Sequence, residues 1–335
     1  MKDKTNIQLT VAEMSSLWTQ YINDTASICV LTYFLEKVED EEIRPIIKEG
    51  VVRARKHIKL AKDIFTKMDF PIPIGFGNND VNIGAPRLFS DSFMLMYIRH
   101  MSILGIGAGS VGLGLVTRPD IVVFQKQLIK DSIFLQDTTR ELMLAQGTYV
   151  RPPFISTPDR VDFVEKQSFL TGFIGTQRPL TTIEITHLFM NIQTNSIGKA
   201  LILGFAQCAK SEEITEYFLR GKKIAQKHMD LFSDILKKQD IPDPMSWDTS
   251  VTDSTTSPFS DKLMLFHIAA MIAAGIGNYG AAMAASPRKD IGLKYGSLIP
   301  EIALYAEDGA NLMINRGWLE EPPQNDNREK LAKGT

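Results

Sequence analysis

Apolar positions along the chain recur at a spacing near 3.6 residues, the period of a helix with one buried face. The first stripe runs Met14, Leu17, Trp18, Tyr21, Ile28 and Leu35. Thr10-Val11-Ala12-Glu13 precedes it with the spacing of a capping box, in which the Thr and Glu side chains each satisfy the other's free backbone N–H. A second stripe, Ile43, Ile47, Ala54, Ala61, Ile64 and Met68, predicts a helix over about residues 41–68, stopped by Pro71-x-Pro73. A third helix is expected from Ser90 or Asp91, poor in charge and rich in Gly and Ala. A fourth runs from near Asp120 to Gly147, a residue suited to the left-handed position just past a helix end.

The pattern occurs twice. Leu9-Thr10 recurs as Leu180-Thr181, His57 as His228, and Asp69-Phe70-Pro71-Ile72-Pro73 as Asp240-Ile241-Pro242-Asp243-Pro244, all at one shift. Phe89-Ser90-Asp91 recurs as Phe259-Ser260-Asp261 and Pro152-Pro153 as Pro322-Pro323, at a shift shorter by a single deletion. The second copy's fourth helix is expected from near Asp290 to Gly317. The chain therefore divides into a first unit (1–153), an aromatic linker (154–179), a second unit (180–323) and a loose polar tail (324–335). Helices one and two, and three and four, are joined by short loops. The link between two and three is about 20 residues long in both copies. That is enough to return along a helix of roughly 40 Å. One long crossover between two short-looped hairpins is the ferritin-like pattern. The expected fold is all-α, a tandem pair of ferritin-like four-helix bundles packed as a pseudo-twofold pair.

Charge narrows the function classes. Across 335 residues, 37 Lys and Arg oppose 39 Asp and Glu, a net of −2, which argues against a nucleic-acid partner. Two cysteines, Cys29 and Cys208, exclude a disulfide framework or an all-Cys zinc site. The first residues, Met1 to Asn6, lack the apolar run of a secretory signal, so a cytoplasmic protein is expected. The uncharged stretches from Met101 to Val116 and from Leu263 to Ser286 are long, but Gly and Ala dominate them. They are expected to be core helices, without membrane contact. No strand precedes Gly105-Ile106-Gly107-Ala108-Gly109-Ser110, so those glycines are expected to serve helix packing and not a dinucleotide.

Two features carry candidate chemistry. Glu184-Ile185-Thr186-His187 has the Glu-x-x-His spacing of a di-iron helix, yet Glu184 is also the capping-box residue, and the first copy offers Glu13-Met14-Ser15-Ser16 with no histidine. His57 and His228 fall on the buried stripe of helix two, where a histidine needs partners for both ring nitrogens. Asp131 and Glu301, at matching positions on helix four of the two copies, are the expected partners. The expected result is a structural buried pair in each copy that fixes bundle register. A metal site would instead draw on Glu184, His187, His228 and Glu301, with Asp308 or His267. His100 and His267 are unmatched, facing Ala270 and Tyr97 in the repeat. No catalytic set is repeated, and no enzyme activity, catalytic residue or cofactor is expected. Phe154, Phe163, Phe169 and Phe173 in the linker should be packed, across the two units or against a neighbouring molecule. With the crossover loops 70–89 and 241–259 they are expected to make the contacts of a higher assembly.

The doubled unit combines Leu-Thr at the start of helix one, a lone His in helix two, a Pro-x-Pro stop, Phe-Ser-Asp before helix three and Gly before a closing Pro-Pro. In this it resembles an uncharacterised two-repeat ferritin-like family of endospore-forming bacteria, related to spore coat proteins. The resemblance covers almost the whole chain. It implies a structural, self-assembling protein of the mother cell or forespore, deposited on the spore coat, with itself or other spore proteins as partner. The paired Glu-x-x-His motifs of ferritins are missing. A metal-binding ferritin-like redox protein is the alternative.

Overall fold

The computed structural model of the chain describes residues 7–173 and 177–334. The first half holds helices α1 (Val11–Lys37), α2 (Ile43–Lys67), α3 (Asp91–Leu115) and α4 (Pro119–Ala145). The second holds α5 (Thr182–Cys208), α6 (Glu212–Lys237), α7 (Asp261–Ala285) and α8 (Lys289–Asn315). The architecture is all-helical with two similar halves. The polar tail, expected to be loose, carries a short helix α9 (Arg328–Lys333), whose first turn is capped by Asn327.

Local chemistry sets the helix ends alike in both halves. Thr10 and Glu13 close the capping box of α1, and Thr181 and Glu184 that of α5. Helices α2 and α6 end on Asp69 and Asp240, whose φ values of 50° and 56° lie in the left-handed region, which Asp tolerates better than most residues. Phe70 N then donates to Phe65 O and Ile241 N to Leu236 O, consuming carbonyls the helix leaves free. Gly147 and Gly317 take the same left-handed role after α4 and α8.

Each half is two hairpins, α1 with α2 and α3 with α4, then α5 with α6 and α7 with α8. The hairpins meet mainly along α2 and α4 in the first half and along α5 and α7 in the second. The largest core cluster belongs to neither half. It joins Phe34, Phe89, Phe93 and Met94 to Phe205, Phe218, Phe259 and Met264. Smaller clusters fill the two ends, around Leu17, Phe65 and Phe124 and around Leu188, Phe232 and Tyr295.

The crossover loops clasp each other within the chain. Val81 pairs antiparallel with Phe259, and Phe89 with Val251. Asn82 N donates to Pro258 O at 2.8 Å, and its equivalent Thr252 N donates to Leu88 O at 2.9 Å. Ser90 N donates to Ser250 O at 2.8 Å, and its equivalent Ser260 N donates to Asp80 O at 3.0 Å. Each of these bonds reappears at the equivalent positions with the halves exchanged, the signature of a pseudo-twofold axis between the loops. Backbone groups brought inside must be paired, and each loop finds its partners in the other.

One expectation is corrected, and one of two alternatives for the linker is removed. The uncharged helices, expected to be core throughout, are most continuously buried near their N-termini, at Phe93 to Ile98 and Leu263 to Leu265, with Tyr279 and Ala282 of α7 buried again near its end. Elsewhere, Val111 and Leu115 of α3 and Ala273, Gly277 and Ala281 of α7 are exposed. By length and composition α7 could cross a membrane. The linker phenylalanines do not pack across the halves: Phe154, Phe163 and Phe173 are 81 %, 89 % and 62 % exposed. Phe169 alone is covered in part, with the Arg178 guanidinium 4.0 Å from its ring centre.

Candidate functional site

Helix two presents a buried histidine at the same place in both halves, and the surroundings differ. In the first, His57 Nε2 lies 2.9 Å from Asp131 Oδ2 on α4, while Nδ1 faces Asp24 Oδ2 on α1 at 3.5 Å, an ionic contact without hydrogen-bond geometry. Asp131 also accepts from Gln127 Nε2 at 2.8 Å and from Arg53 Nη1. The Arg53 guanidinium lies 3.9 Å over the Phe134 ring. In the second, His228 Nε2 lies 2.9 Å from Glu301 Oε2 and Nδ1 lies 2.9 Å from the Tyr279 hydroxyl. That hydroxyl accepts from Asn195 Nδ2 at 2.8 Å, and Lys227 Nζ donates to both Glu301 oxygens.

The two rings are shifted in opposite directions. Burial pulls the His57 imidazole down, but Asp24 and Asp131 on either side outweigh it and hold His57 above the ordinary histidine range. Burial lifts the Asp24 carboxyl and His57 pulls against it. For His228, burial prevails over Glu301 and keeps the ring below its ordinary range. A neutral His228 gives a complete chain: Asn195 donates to Tyr279, Tyr279 to Nδ1, and Nε2–H to Glu301. His228, His57 and Asp131 are buried. Glu301, expected to be buried too, keeps 32 % of its side chain exposed, because an ammonium rather than a guanidinium holds it at the bundle edge.

Glu184 and His187 are not brought together on a ligand. Glu184 is fully buried, holds both terminal nitrogens of Arg178 at 2.9 Å, and accepts from Thr181 N and Arg288 N. Its equivalent Glu13 accepts from Thr10 N, Thr117 N and Arg118 N. Burial works to raise the Glu13 carboxyl, but these N–H groups bring it down to about 2. In both halves, then, the capping-box glutamate also staples the first helix to the turn before the fourth. His187 is half-buried and lowered by burial, with Nδ1 unpartnered. Asp308 pairs with Arg220.

The structure joins residues whose relation the repeat alone concealed. Tyr97 and His267 occupy equivalent positions and meet across the halves, with the Tyr97 hydroxyl 3.2 Å from His267 Nε2 and the rings stacked. Burial drives His100 and His267 down to about 4, so both are neutral there. Asp24, Arg53, Asn195 and Tyr279 complete the histidine surroundings and escaped the sequence reading. Asp24 had a signal, because it falls between Tyr21 and Ile28 on the apolar stripe of α1. Arg53, one turn before His57, had a second.

A cation at the first site would meet ligands that diverge, since Asp24 and Asp131 address opposite nitrogens of one ring. Among the described residues no three His, Cys, Asp or Glu side chains are placed to hold a metal ion.

Comparison with known proteins adds the family. No curated protein matches the chain. Among solved structures, a provisionally assigned spore coat protein from Bacillus halodurans aligns over 46 % of this chain and 100 % of its own, at 17 % identity and a TM-score of 0.42. The family described as protein of unknown function (DUF3231) matches twice, over residues 1–161 and 168–331. Those two matches divide where the two halves divide, and the chain belongs to the DUF3231 family.

Proposed function

We propose that this chain is a structural protein that assembles, with copies of itself or with other spore proteins, and that its halves are ferritin-like four-helix bundles whose central polar position is a fastening. One observation supports this above the rest: the carboxylates at that position already hold the chain's own cations. Asp131 takes Arg53 and His57 and Glu301 takes Lys227, while Glu184, in the capping box at the start of α5, takes Arg178. A di-iron bundle draws on four carboxylates and two histidines. The first half gathers two carboxylates and one histidine around an arginine, and in the second Asn195 replaces the carboxylate of Asp24. Buried ion pairs of this kind suit register and specificity better than raw stability.

The assembly surface in this reading is the linker. Where the first copy continues past Pro152-Pro153 into Phe154 and Ile155, the second continues past Pro322-Pro323 into Gln324 and Asn325. A mere spacer has no use for exposed phenylalanines, and contiguous exposed apolar surface marks interaction sites. The spore setting comes with the sequence resemblance and is tested by imaging a fluorescent fusion in sporulating cells. For assembly and metal, the purified chain is loaded with ferrous iron, treated with chelator, and followed by metal analysis, light scattering and negative-stain microscopy. The expected outcome is no stoichiometric metal, an oligomer indifferent to chelator, and loss of that oligomer in a Phe154→Ser/Phe163→Ser variant. Two ions per chain that survive the chelator would instead establish the metal-binding redox reading.

A further inference from the structure

The second half contains a cavity whose lining is far less polar than the equivalent positions of the first half. It lies between α5, α6, α7 and α8 and is open on one side, with an inner volume of about 80 Å³ and about 570 Å³ when the solvent at its mouth is included. Asn195, Gly198, Ile224, Ile272 and Ile302 line it. The equivalent positions of the first half are Asp24, Ser27, Arg53, Ser102 and Ser132. Five polar or charged positions have thus become an amide, a glycine and three isoleucines. The substitution with the largest effect on charge is Arg53 to Ile224. Arg53 reaches across its bundle to Asp131 and lies against Phe134, whereas Ile224 stops short.

The lining carries no charged side chain. Its polar groups are Thr194, Asn195 and the phenols of Tyr279 and Tyr305. The Tyr305 hydroxyl is occupied with Tyr217 O, and that of Tyr279 with Asn195 and His228. Dry apolar cavities of about 150 Å³ take benzene or xenon, so the inner part suits a smaller guest or the end of an alkyl chain. Gly198 thins one wall, since a Cβ there would sit 3.5 Å from Met271 Cε, an ordinary contact.

We infer that the second half binds a small, neutral, predominantly apolar molecule, or the alkyl end of one, between α5 and α7, and that the first half does not. This is independent of the assembly reading. The test uses the full chain with ¹³C-methyl-labelled methionine, titrated with xenon and, separately, with 1-butanol, with glycerol as control. Met271 lines the cavity, and Met101, its equivalent in the first half, is the internal reference. A saturable shift of the Met271 methyl, absent at Met101, is expected. Gly198→Ala should weaken xenon about fourfold, the equivalent of one buried methylene, and Ala225→Leu should abolish the shift, with circular dichroism and a thermal melt checking that each variant folds. A Met271 methyl that does not saturate with either probe, an equal response at Met101, or titrations unchanged in both folded variants would overturn the proposal.

Discussion

Replacing Asp24 by Asn gives the first half the amide that the second half already has at Asn195, with almost no change of shape. Burial lowers the His57 imidazole, and the two flanking aspartates outweigh it, so the folded pKa lies above the ordinary 6.5. A raised folded pKa adds stability that is fully present below about pH 6.5 and is lost as pH rises through the folded value. The Asp24 carboxylate is 3.5 Å from Nδ1. An opposite charge at that range moves a pKa by about 1–3 units, or roughly 1.4–4 kcal/mol. The contact lacks hydrogen-bond geometry, which places the expectation at the lower end, about one unit. Histidine-ring NMR titration reads His57 and His228 separately, and urea unfolding at about pH 6 and about pH 8.5 reads the linked stability. In Asp24→Asn the His57 midpoint should fall by about one unit, the loss of stability on the alkaline side should shrink, and His228 should titrate as before. An unchanged His57 midpoint would show that Asp24 does not set the charge, and the argument from two flanking carboxylates would fail.

Three other outcomes can be measured. Gly204→Ala should destabilise by about 1–3 kcal/mol in urea unfolding through overpacking, because its Cβ would sit 2.9 Å from two atoms of the Phe89 ring; a neutral result would mean the clasp is loosely packed. Phe259→Ala should cost about 3–5 kcal/mol and separate the unfolding of the two halves in calorimetry, since Phe259 packs on Tyr33 and Phe205 at the axis. Glu13, lowered to about 2 by backbone N–H donors that overcome its burial, contributes stability above its ordinary pKa that is lost as pH falls toward about 2, so Glu13→Gln should flatten the acid limb of the pH–stability curve, and an unaltered limb would contradict the staple.

How far the molecule could be read in advance depended on what the chain repeats. Helix ends were legible because capping boxes, Pro-x-Pro stops and closing glycines each reflect chemistry within a few residues. His57 was legible as a candidate because an ionisable group on an apolar stripe demands a partner. The clasp was not. Val81, Phe89, Val251 and Phe259 are ordinary loop apolars, and only the axis turns equivalence along the chain into contact in space. The surface that covers the linker was not legible either: aromatic density records a need for burial without saying which surface meets it.

Fusion accounts for the differences between the halves. In a dimer of identical chains, any residue at the twofold axis meets its own copy, so the contact must be self-complementary. Joining the copies removes that restriction, and the axis of this molecule uses the freedom. Tyr97 meets His267, a phenol against an imidazole, where two tyrosines or two histidines would face each other in a true dimer. Tyr33 donates to Pro86 O and accepts from Leu88 N, while its equivalent is Gly204, whose missing side chain leaves room for Phe89. A tyrosine at 204 would collide with that ring, and a glycine at 33 would leave Leu88 N without its hydroxyl. Each choice is workable only because the other half made a different one. The same freedom let one histidine keep two carboxylates while the other keeps one, Glu301, and has a tyrosine and an asparagine in place of the second. A single-unit relative lacking the second copy should therefore keep neither the Tyr97–His267 contact nor the Tyr33/Gly204 difference. Restoring symmetry here, with His267→Tyr and Gly204→Tyr together, should cost more stability than the cycle sum of the single changes at each site. Additive losses would mean the two pairings diverged without reference to each other.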